Sequence, residues 1–198
     1  RTKVALFKDG VMIKNLLYRS FTSGDVERLF SLYPITDSIV SSVANMEPAV
    51  VNALNRLSKN FVLFDHLTPL PIKNCYQTPE TLGHDRIAAA VGATYLSPGE
   101  NLLIVDAGSA VTYDFVSAEH GYLGGNIAPG IKMRLAALNQ MTKRLPKVDV
   151  EPDALTPLFG KNTKEAMAAG VVRGLIFEVK GYMRQLKEQK VVFKTYVT

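Results

Sequence analysis

Near the middle of the 198-residue chain runs Asn101-Leu-Leu-Ile-Val-Asp-Ala-Gly-Ser-Ala-Val-Thr-Tyr-Asp-Phe-Val116. An unbroken series of apolar residues leads into Asp106, and a second apolar series follows almost at once. Such a series predicts a strand that is covered on both faces of its sheet. A carboxylate directly after it stands where open α/β sheets usually bind their ligands. The segment therefore predicts two consecutive strands of an α/β protein with a functional turn between them.

The turn between these strands has the residue types of a phosphate-binding loop. Gly108 allows a backbone to approach an anion closely, and the hydroxyl groups of Ser109 and Thr112 can donate hydrogen bonds to phosphate oxygens. An Asp-Ala-Gly-Ser sequence also forms ordinary tight turns, in which the Asp106 side chain caps local amides. Both interpretations are open for the segment taken alone.

The composition is that of an ordinary globular protein. Hydrophobic residues make up 47% and charged residues 21% of a chain long enough for one large domain or two lobes with a core each. The single cysteine, Cys75, excludes an internal disulfide and favours a reducing compartment, so we expect a cytoplasmic protein. The sequence has no apolar run of the roughly 18 residues that span a bilayer and no signal-like start, so we expect no membrane partner.

The net charge of +5 does not by itself indicate a nucleic-acid partner. The basic residues are spread along the chain, and the densest groups, at residues 143–147 and 187–190, have no aromatic residues between them. A solvated surface is therefore the favoured interpretation, and we expect no nucleic acid among the partners. A basic surface also suits an anionic small substrate.

Helices and strands alternate through both halves of the chain. Apolar periodicity predicts helices at residues 24–33, 47–57, 85–95, 131–141 and 163–189, and strands at residues 38–43, 61–64 and 191–198. Each half also begins with a pair of predicted strands. The pattern predicts two similar α/β lobes, residues 1–97 and 98–198, with a hinge at residues 97–100.

The two halves resemble each other in sequence order. Residues 2–10 and 112–121 both consist of a predicted strand followed by an acidic-Gly turn. In the second half, the Asp-Ala-Gly-Ser loop and its strand come just before this unit. If the halves are a duplication, an equivalent strand and phosphate loop precede Arg1. We therefore expect missing residues before Arg1, and also after Thr198, because the chain stops inside a predicted strand.

Gly83-His-Asp-Arg86 lies directly before an alanine-rich helix. Asp85 and Arg86 there are open to interpretation as an exposed cap and a surface ion pair. With Tyr76 on the preceding loop, they also have the composition of a pocket edge with a base, a cation and an aromatic wall. The start of a helix favours the ionised form of Asp85 and weakens it as a base, but phosphoryl transfer mainly requires the hydroxyl to be positioned.

Two glycine-rich segments leave structural and functional interpretations open. Gly124-Gly125 and Pro129-Gly130 fit a loop with Pro129 in the first turn of the next helix, and equally a role near phosphate or at a pocket floor. The long helix, with Asn162 or Thr163 as its cap, has several small residues, which suit either core packing or a helix contact in a dimer: Ala166, Ala169, Gly170 and Gly174. The three histidines lack the spacing of zinc ligands.

Four of these segments together resemble one family. Gly83-His-Asp-Arg86, Asp106-Ala-Gly-Ser-Ala-Val-Thr112, Gly124-Gly-Asn-Ile-Ala-Pro-Gly130 and Thr163-Lys-Glu-Ala-Met-Ala-Ala-Gly170 occur in the order and spacing of type III pantothenate kinases. The resemblance implies two ribonuclease-H-like lobes of the acetate and sugar kinase, chaperone and actin superfamily. It also implies a homodimer that phosphorylates pantothenate to 4'-phosphopantothenate with ATP, the first step of coenzyme A synthesis.

The same resemblance implies roles for the residues that match the family's pantothenate site. Asp85 matches the proton acceptor for the primary hydroxyl of pantothenate. Gly83, His84 and Arg86 match its substrate-binding neighbours, and the forked guanidinium of Arg86 suits a carboxylate or phosphate. Tyr76 matches a further pantothenate contact.

The resemblance extends to the nucleotide and the ions. Ser109 matches an ATP contact, Thr163 another pantothenate contact and Asp106 a ligand of a monovalent cation, potassium or ammonium, beside Mg²⁺-ATP. The family's amino-terminal Asp-x-Gly-Asn-Thr/Ser loop does not occur in the sequence. The alternatives are another small-molecule kinase of the same superfamily and a non-catalytic regulatory relative.

Overall fold

The computed structural model describes residues 2–41, 46–151 and 156–198, and its chain divides into two compact units, Arg1–Thr68 and Pro69–Thr198. The first unit contains six helices and strands in its described part: β1 (Thr2–Lys8), β2 (Val11–Tyr18), α1 (Ser23–Leu32), β3 (Asp37–Val40), α2 (Pro48–Leu57) and β4 (Asn60–Leu63). The second contains a 3₁₀ turn (Pro79–Thr81), α3 (His84–Leu96), β5 (Leu102–Ala107), β6 (Ala110–Ser117), β7 (Gly121–Pro129), α4 (Ile131–Gln140), α5 (Thr163–Glu188) and β8 (Lys194–Val197).

The first unit has an antiparallel hairpin, β1–β2, and a parallel pair, β3–β4. The hairpin turns at Asp9 and Gly10, which both have positive φ, as tight hairpin turns require. Helix α1 begins with a capping box between Thr22 and Asp25. Helices α1 and α2 share a small core: Val26, Val50, Ala53 and Leu54.

The second unit is built on one four-stranded sheet in the order β7-β6-β5-β8. Strand β5 pairs antiparallel with β6 and parallel with β8, and its first four residues are buried. Helix α5 covers one face, where Leu175 joins a cluster with residues of β5 and β6, and α3 packs against the same two strands. The prediction of a strand covered on both faces is confirmed.

Strand β6 contributes buried side chains to both faces of the four-stranded sheet. Side chains alternate along a strand, so the adjacent residues Tyr113 and Asp114 lie on opposite faces of the sheet. Tyr113 belongs to the cluster beneath α5, whereas Asp114 bonds to a residue of α3. Both side chains are buried, at 3% and 1% exposure. A tyrosine and a carboxylate from one strand are thus available to two different helices.

The predicted mixed α/β class is confirmed, and the predicted helices lie within one or two residues of the observed ones. The predicted strand 38–43 corresponds to β3, and its last two residues lie outside the described ones. The prediction of a loop at residues 124–130 with Pro129 in a helical turn is wrong, because Gly124 to Pro129 belong to β7. An edge strand such as β7 tolerates proline, since one side of it makes no ladder hydrogen bonds.

Among the described residues, the structure has no helix with the length and apolar character needed to cross a membrane. The division into lobes at residues 97 and 98 stays a prediction. Helix α3 packs on β5 and β6 and is therefore described with the second unit. All eight predicted site residues lie in this second unit.

Candidate active site

The start of α3 is shaped around the carboxylate of Asp85. Gly83 is the N-cap residue, and a Cβ there would lie 2.6 Å from Asp85 Oδ1. The same oxygen accepts a hydrogen bond of 2.9 Å from the backbone N–H of Arg86. Asp85 is exposed in the first helical turn, where backbone N–H groups stabilise a negative charge. Glycine at position 83 therefore leaves space for an accessible carboxylate held against the turn.

Arg86 points away from Asp85 into the protein. Its Nε and Nη2 donate hydrogen bonds of 3.0 and 2.6 Å to Asp114 Oδ1. The two side chains are 5% and 1% exposed, so this is a buried ion pair between α3 and β6. The interpretation of Asp85 and Arg86 as a surface pair is wrong for Arg86, because its partner is Asp114 in the interior.

Tyr122 of β7 completes the set of donors around Asp114. Its hydroxyl donates a hydrogen bond of 2.7 Å to the oxygen that also receives both bonds from Arg86. Burial alone would lower the pKa of Arg86, but hydrogen bonding and the charge of Asp114 together raise it. Burial and then the hydrogen bond to Asp114 raise the pKa of Tyr122. At neutral pH, Arg86 is therefore a cation and Tyr122 a neutral donor.

Tyr76 forms the outer side of this group. The Cζ of Arg86 lies 5.6 Å from the centre of the Tyr76 ring, within the range of a cation–π contact. The centres of the Tyr76 and Tyr122 rings are 6.2 Å apart. Strand β7 holds the Tyr76 loop, since Tyr122 N–H donates to the carbonyl of Lys73 and its own carbonyl accepts from Cys75. We call Tyr76, Arg86, Asp114 and Tyr122 the Arg86 cluster.

Gly124 and Gly125 border the Arg86 cluster at Tyr76 and Asp114. Gly124 has a φ of +126°, and a Cβ there would lie 3.4 Å from the Tyr76 ring. At Gly125, a Cβ would collide with Asp114 Oδ1 and with the carbonyl oxygen of Tyr113. These glycines therefore make room for the aromatic ring and the buried carboxylate. They therefore lie on the predicted substrate side of the site.

Asp106 and Ser109 lie together at the other predicted part of the site. Asp106 is partly buried at the end of β5, and Ser109 is exposed in the turn before β6. A Cβ on Gly108 would lie 3.3 Å from Asp106 Oδ1. The carbonyl of Ser109 accepts a hydrogen bond of 3.1 Å from Gly130 N–H, the N-cap residue of α4. The turn therefore lies against the start of α4, and a side chain at Gly130 would meet the Gly108 and Ser109 carbonyls.

A second ion pair fixes the start of α4. Arg134 donates two hydrogen bonds, of 2.6 and 2.7 Å, to the two oxygens of Glu178 in α5, and a third of 2.6 Å to the carbonyl of Pro129. The hydroxyl of Tyr113 donates to Glu178 at 2.8 Å. Arg134 and Glu178 are 19% and 38% exposed, more than the Arg86–Asp114 pair. We call Tyr113, Pro129, Arg134 and Glu178 the Arg134 cluster.

The pKa shifts of the Arg134 cluster follow from its hydrogen bonds. The bond to Glu178 raises the pKa of Arg134. The bond from Arg134 lowers the pKa of Glu178, although burial opposes the shift. Burial and then the bond to Glu178 raise the pKa of Tyr113. The ion pair is thus fully charged at neutral pH.

The structure brings most of the predicted site residues into two groups. The first group is at the start of α3 and contains Gly83, His84, Asp85 and Arg86, with Tyr76 packed against Arg86 from the preceding loop. The second group is at the turn between β5 and β6 and contains Asp106 and Ser109. Thr163 is the exposed first residue of α5, after Asn162, whose side chain caps the helix. The contacts that define the two groups do not include Thr163.

Sequence reasoning missed Asp114 and Tyr122. A signal was present for Asp114, because a charged residue within a strand buried on both faces requires a partner. The same reasoning does not identify Tyr122, since its hydroxyl reaches Asp114 only through the pairing of β6 and β7. In the described part of the chain, no three His, Cys, Asp or Glu side chains form a group that could hold a metal ion.

Comparison with known proteins identifies the family. Residues 10–185 match the family described as type III pantothenate kinase. A protein of that name from Phocaeicola vulgatus is 41% identical over 186 residues, which are 94% of this chain and 76% of the relative. Another from Bacteroides fragilis is 43% identical over 188 residues, with the same coverage. A crystal structure described as a Baf family transcriptional activator from Campylobacter jejuni is 27% identical, with a TM-score of 0.44 and coverage of 86% of this chain and 71% of that one.

The family match spans most of the chain, including both groups of site residues. These findings favour neither another small-molecule kinase nor a regulatory relative. The chain therefore belongs to the type III pantothenate kinase family, and its reaction is the phosphorylation of pantothenate by ATP in coenzyme A biosynthesis.

Proposed function

We propose that Asp85 is the proton acceptor of the reaction. The primary hydroxyl oxygen of pantothenate bonds to the γ-phosphorus of ATP, and its proton passes to the Asp85 carboxylate. The bond from the γ-phosphorus to the bridging oxygen breaks, and ADP leaves. The observation that carries this role is an exposed carboxylate at the start of α3, with a glycine N-cap that leaves it space. Because the transition state of phosphoryl transfer is loose, a weak base in a fixed position suffices.

We propose that pantothenate is bound by five residues: Tyr76, Gly83, His84, Arg86 and Thr163. Support comes from the position of the first four. Gly83, His84 and Arg86 adjoin Asp85 at the start of α3, and the Tyr76 ring lies against the Arg86 guanidinium. A guanidinium has five N–H donors, and Asp114 accepts two from Arg86. Three donors therefore remain, and we propose that the anionic substrate bonds to those it can reach.

Ser109 is proposed to contact the ATP phosphates, and Asp106 to bind potassium or ammonium next to Mg²⁺-ATP. The Asp106 carboxylate suits a hard cation, and Gly108 leaves space beside its Oδ1. The cation would supply positive charge beside the polyphosphate. The chain's own contribution is to hold the turn against the start of α4 through Gly130.

The finer fold class and location are proposals as well. We place the chain in the acetate and sugar kinase, chaperone and actin superfamily, with ribonuclease-H-like lobes at residues 1–97 and 98–198, in the cytoplasm. The repeated hairpins β1–β2 and β6–β7 support two related lobes. The free thiol of Cys75 is compatible with a reducing compartment.

The exposed face of α5 supports a homodimer. Gly170, Gly174, Phe177 and Gly181 follow at intervals of four, three and four residues, so they share one face of the helix. A Cβ at each of these glycines would meet no described atom within 4 Å, and Phe177 is 55% exposed. A second α5 could therefore approach this face closely.

Sedimentation velocity tests the dimer. Gly174→Leu adds a side chain on the glycine face and is expected to shift the protein from dimer to monomer. Lys164→Leu adds the same side chain at an exposed position of α5 that lies outside the three- and four-residue spacing of this face, and it is expected to leave the dimer intact. A dimer that persists in Gly174→Leu, or a wild-type monomer, would contradict this interface.

The catalytic role is tested by pantothenate-dependent ADP release from the full-length protein, with and without potassium. Asp85→Asn is expected to lower kcat by a factor of about 10² to 10⁴ at an unchanged Tm, because general base catalysis typically contributes that much. Glu80→Gln, at an exposed position of the preceding 3₁₀ turn, is the matched control and keeps its rate. Turnover of Asp85→Asn close to that of wild type would contradict the role of Asp85 as the proton acceptor.

A further inference from the structure

Asp114 is the one buried acidic side chain among the described residues, and the proposed mechanism gives it no task. It lies where two parts of the site meet. Arg86 belongs to the turn that holds Asp85, Tyr122 belongs to the strand that holds the Tyr76 loop, and both donate to Asp114 Oδ1. The same oxygen is therefore bound to the catalytic turn and to the aromatic side of the substrate site.

The contacts of Arg86 make the site sensitive to its position. Its backbone N–H bonds to Asp85 Oδ1, and its guanidinium lies beneath the Tyr76 ring. Arg86 therefore contacts the proposed base through its backbone and the proposed substrate wall through its guanidinium. The Arg86 side chain is 5% exposed, so little of it is open to substrate.

We propose that Asp114 and Tyr122 are positioning residues for pantothenate binding, which act through Arg86. Asp114 holds the guanidinium with two hydrogen bonds, and Tyr122 holds the accepting oxygen in place with a third. Gly125 is required because its backbone packs directly on this carboxylate. The inference rests on the proposed role of Arg86 and Tyr76 in binding pantothenate.

The geometry of Asp114 supplies a conservative variant. All three hydrogen bonds go to Oδ1, and Oδ2 is buried with no hydrogen-bond partner among the described residues. Asp114→Asn can therefore place its carbonyl oxygen at the Oδ1 position and its amide at the other, and break none of the three bonds. It removes the charge that fixes Arg86 while it keeps the shape of the site.

Steady-state kinetics of the full-length enzyme test the proposal. In Asp114→Asn we expect the KM for pantothenate to rise about tenfold and the KM for ATP to change less than about twofold, since a hydrogen bond between charged groups weakens to an ordinary one. Tyr122→Phe removes only the third bond, and its KM for pantothenate is expected to rise about threefold. This variant also keeps the test decisive should Asp114→Asn fail to fold.

Glu178→Gln is the control for general loosening. It weakens the ion pair of the Arg134 cluster on the opposite face of the sheet, and the KM for pantothenate is expected to stay unchanged. A role of Asp114 in folding alone would lower Tm and the active fraction and leave the KM for pantothenate as in wild type. That result, or an equal rise of this KM in Glu178→Gln, overturns the inference. Wild-type enzyme without pantothenate-dependent ADP release would instead contradict the function itself.

Discussion

The Arg86 and Arg134 clusters are two versions of one arrangement on opposite faces of the same sheet. Each has an arginine, a carboxylate and a tyrosine hydroxyl that donates to that carboxylate. In the first, the arginine and the carboxylate are 5% and 1% exposed, and in the second 19% and 38%. Water can therefore replace a lost partner in the Arg134 cluster, whereas it has almost no access to the Arg86–Asp114 pair. The same chemistry should accordingly have different energetic consequences on the two faces.

The clusters also support different parts of the site. The Arg86 cluster joins the start of α3 to β6 and β7, next to the proposed base. The Arg134 cluster joins α5 to the carbonyl that precedes the start of α4, where Gly130 contacts the Ser109 turn. One sheet thus fixes the proposed pantothenate side through one face and the proposed nucleotide side through the other.

The largest expected difference is in stability. Asp114→Ala leaves the Arg86 charge buried without its partner, and we expect a loss of about 3–5 kcal/mol in the free energy of unfolding. Glu178→Ala leaves a partly hydrated arginine, and we expect a loss of no more than about 1–2 kcal/mol. Urea denaturation followed by far-UV circular dichroism measures both values. Equal losses would mean that burial does not distinguish the two clusters.

Two glycines sharpen the functional side of the comparison. Gly125→Ala forces a Cβ against Asp114, and Gly130→Ala forces one against the Ser109 turn. Each should cost about 1–3 kcal/mol of stability, the usual range for overpacking. We expect Gly125→Ala to raise mainly the KM for pantothenate and Gly130→Ala mainly the KM for ATP.

Gly92→Ala is the matched control for both glycine variants. Gly92 lies within α3, and a Cβ there would meet no described atom within 4 Å. The change should stabilise the helix by up to about 1 kcal/mol and leave both KM values as in wild type. If Gly125→Ala and Gly130→Ala raise the same KM, the two faces do not serve different substrates.

The difference between the clusters also explains what the sequence could predict. The strand before Asp106 and the Asn162 cap of α5 depend on neighbouring residues, and both predictions are confirmed. The ion pairs join residues 28 and 44 positions apart, so their partners are decided by how helices pack on the sheet. Pro129 was misplaced for a similar reason, because only the position of β7 at the sheet edge makes proline acceptable in that strand. The proposed roles of the site residues come from resemblance and stay predictions.

The smallest expected effect is a pH dependence confined to the Arg134 cluster. The hydrogen bond from Arg134 lowers the pKa of Glu178 in the folded protein, so the folded state binds this proton less readily than the unfolded state. The resulting stability is complete above the ordinary glutamate pKa of about 4.3 and is lost as the pH falls through the lower folded value. We therefore expect the difference in Tm between wild type and Glu178→Gln to be present at pH 7 and to shrink below about pH 4.

The difference in Tm should be small, because the Glu178 carboxylate is 38% exposed and water screens the pair. Exposed acids such as Asp25 titrate equally in both proteins and cancel in this comparison. A difference in Tm that stays constant down to pH 3 would show that ionisation of Glu178 does not stabilise the cluster.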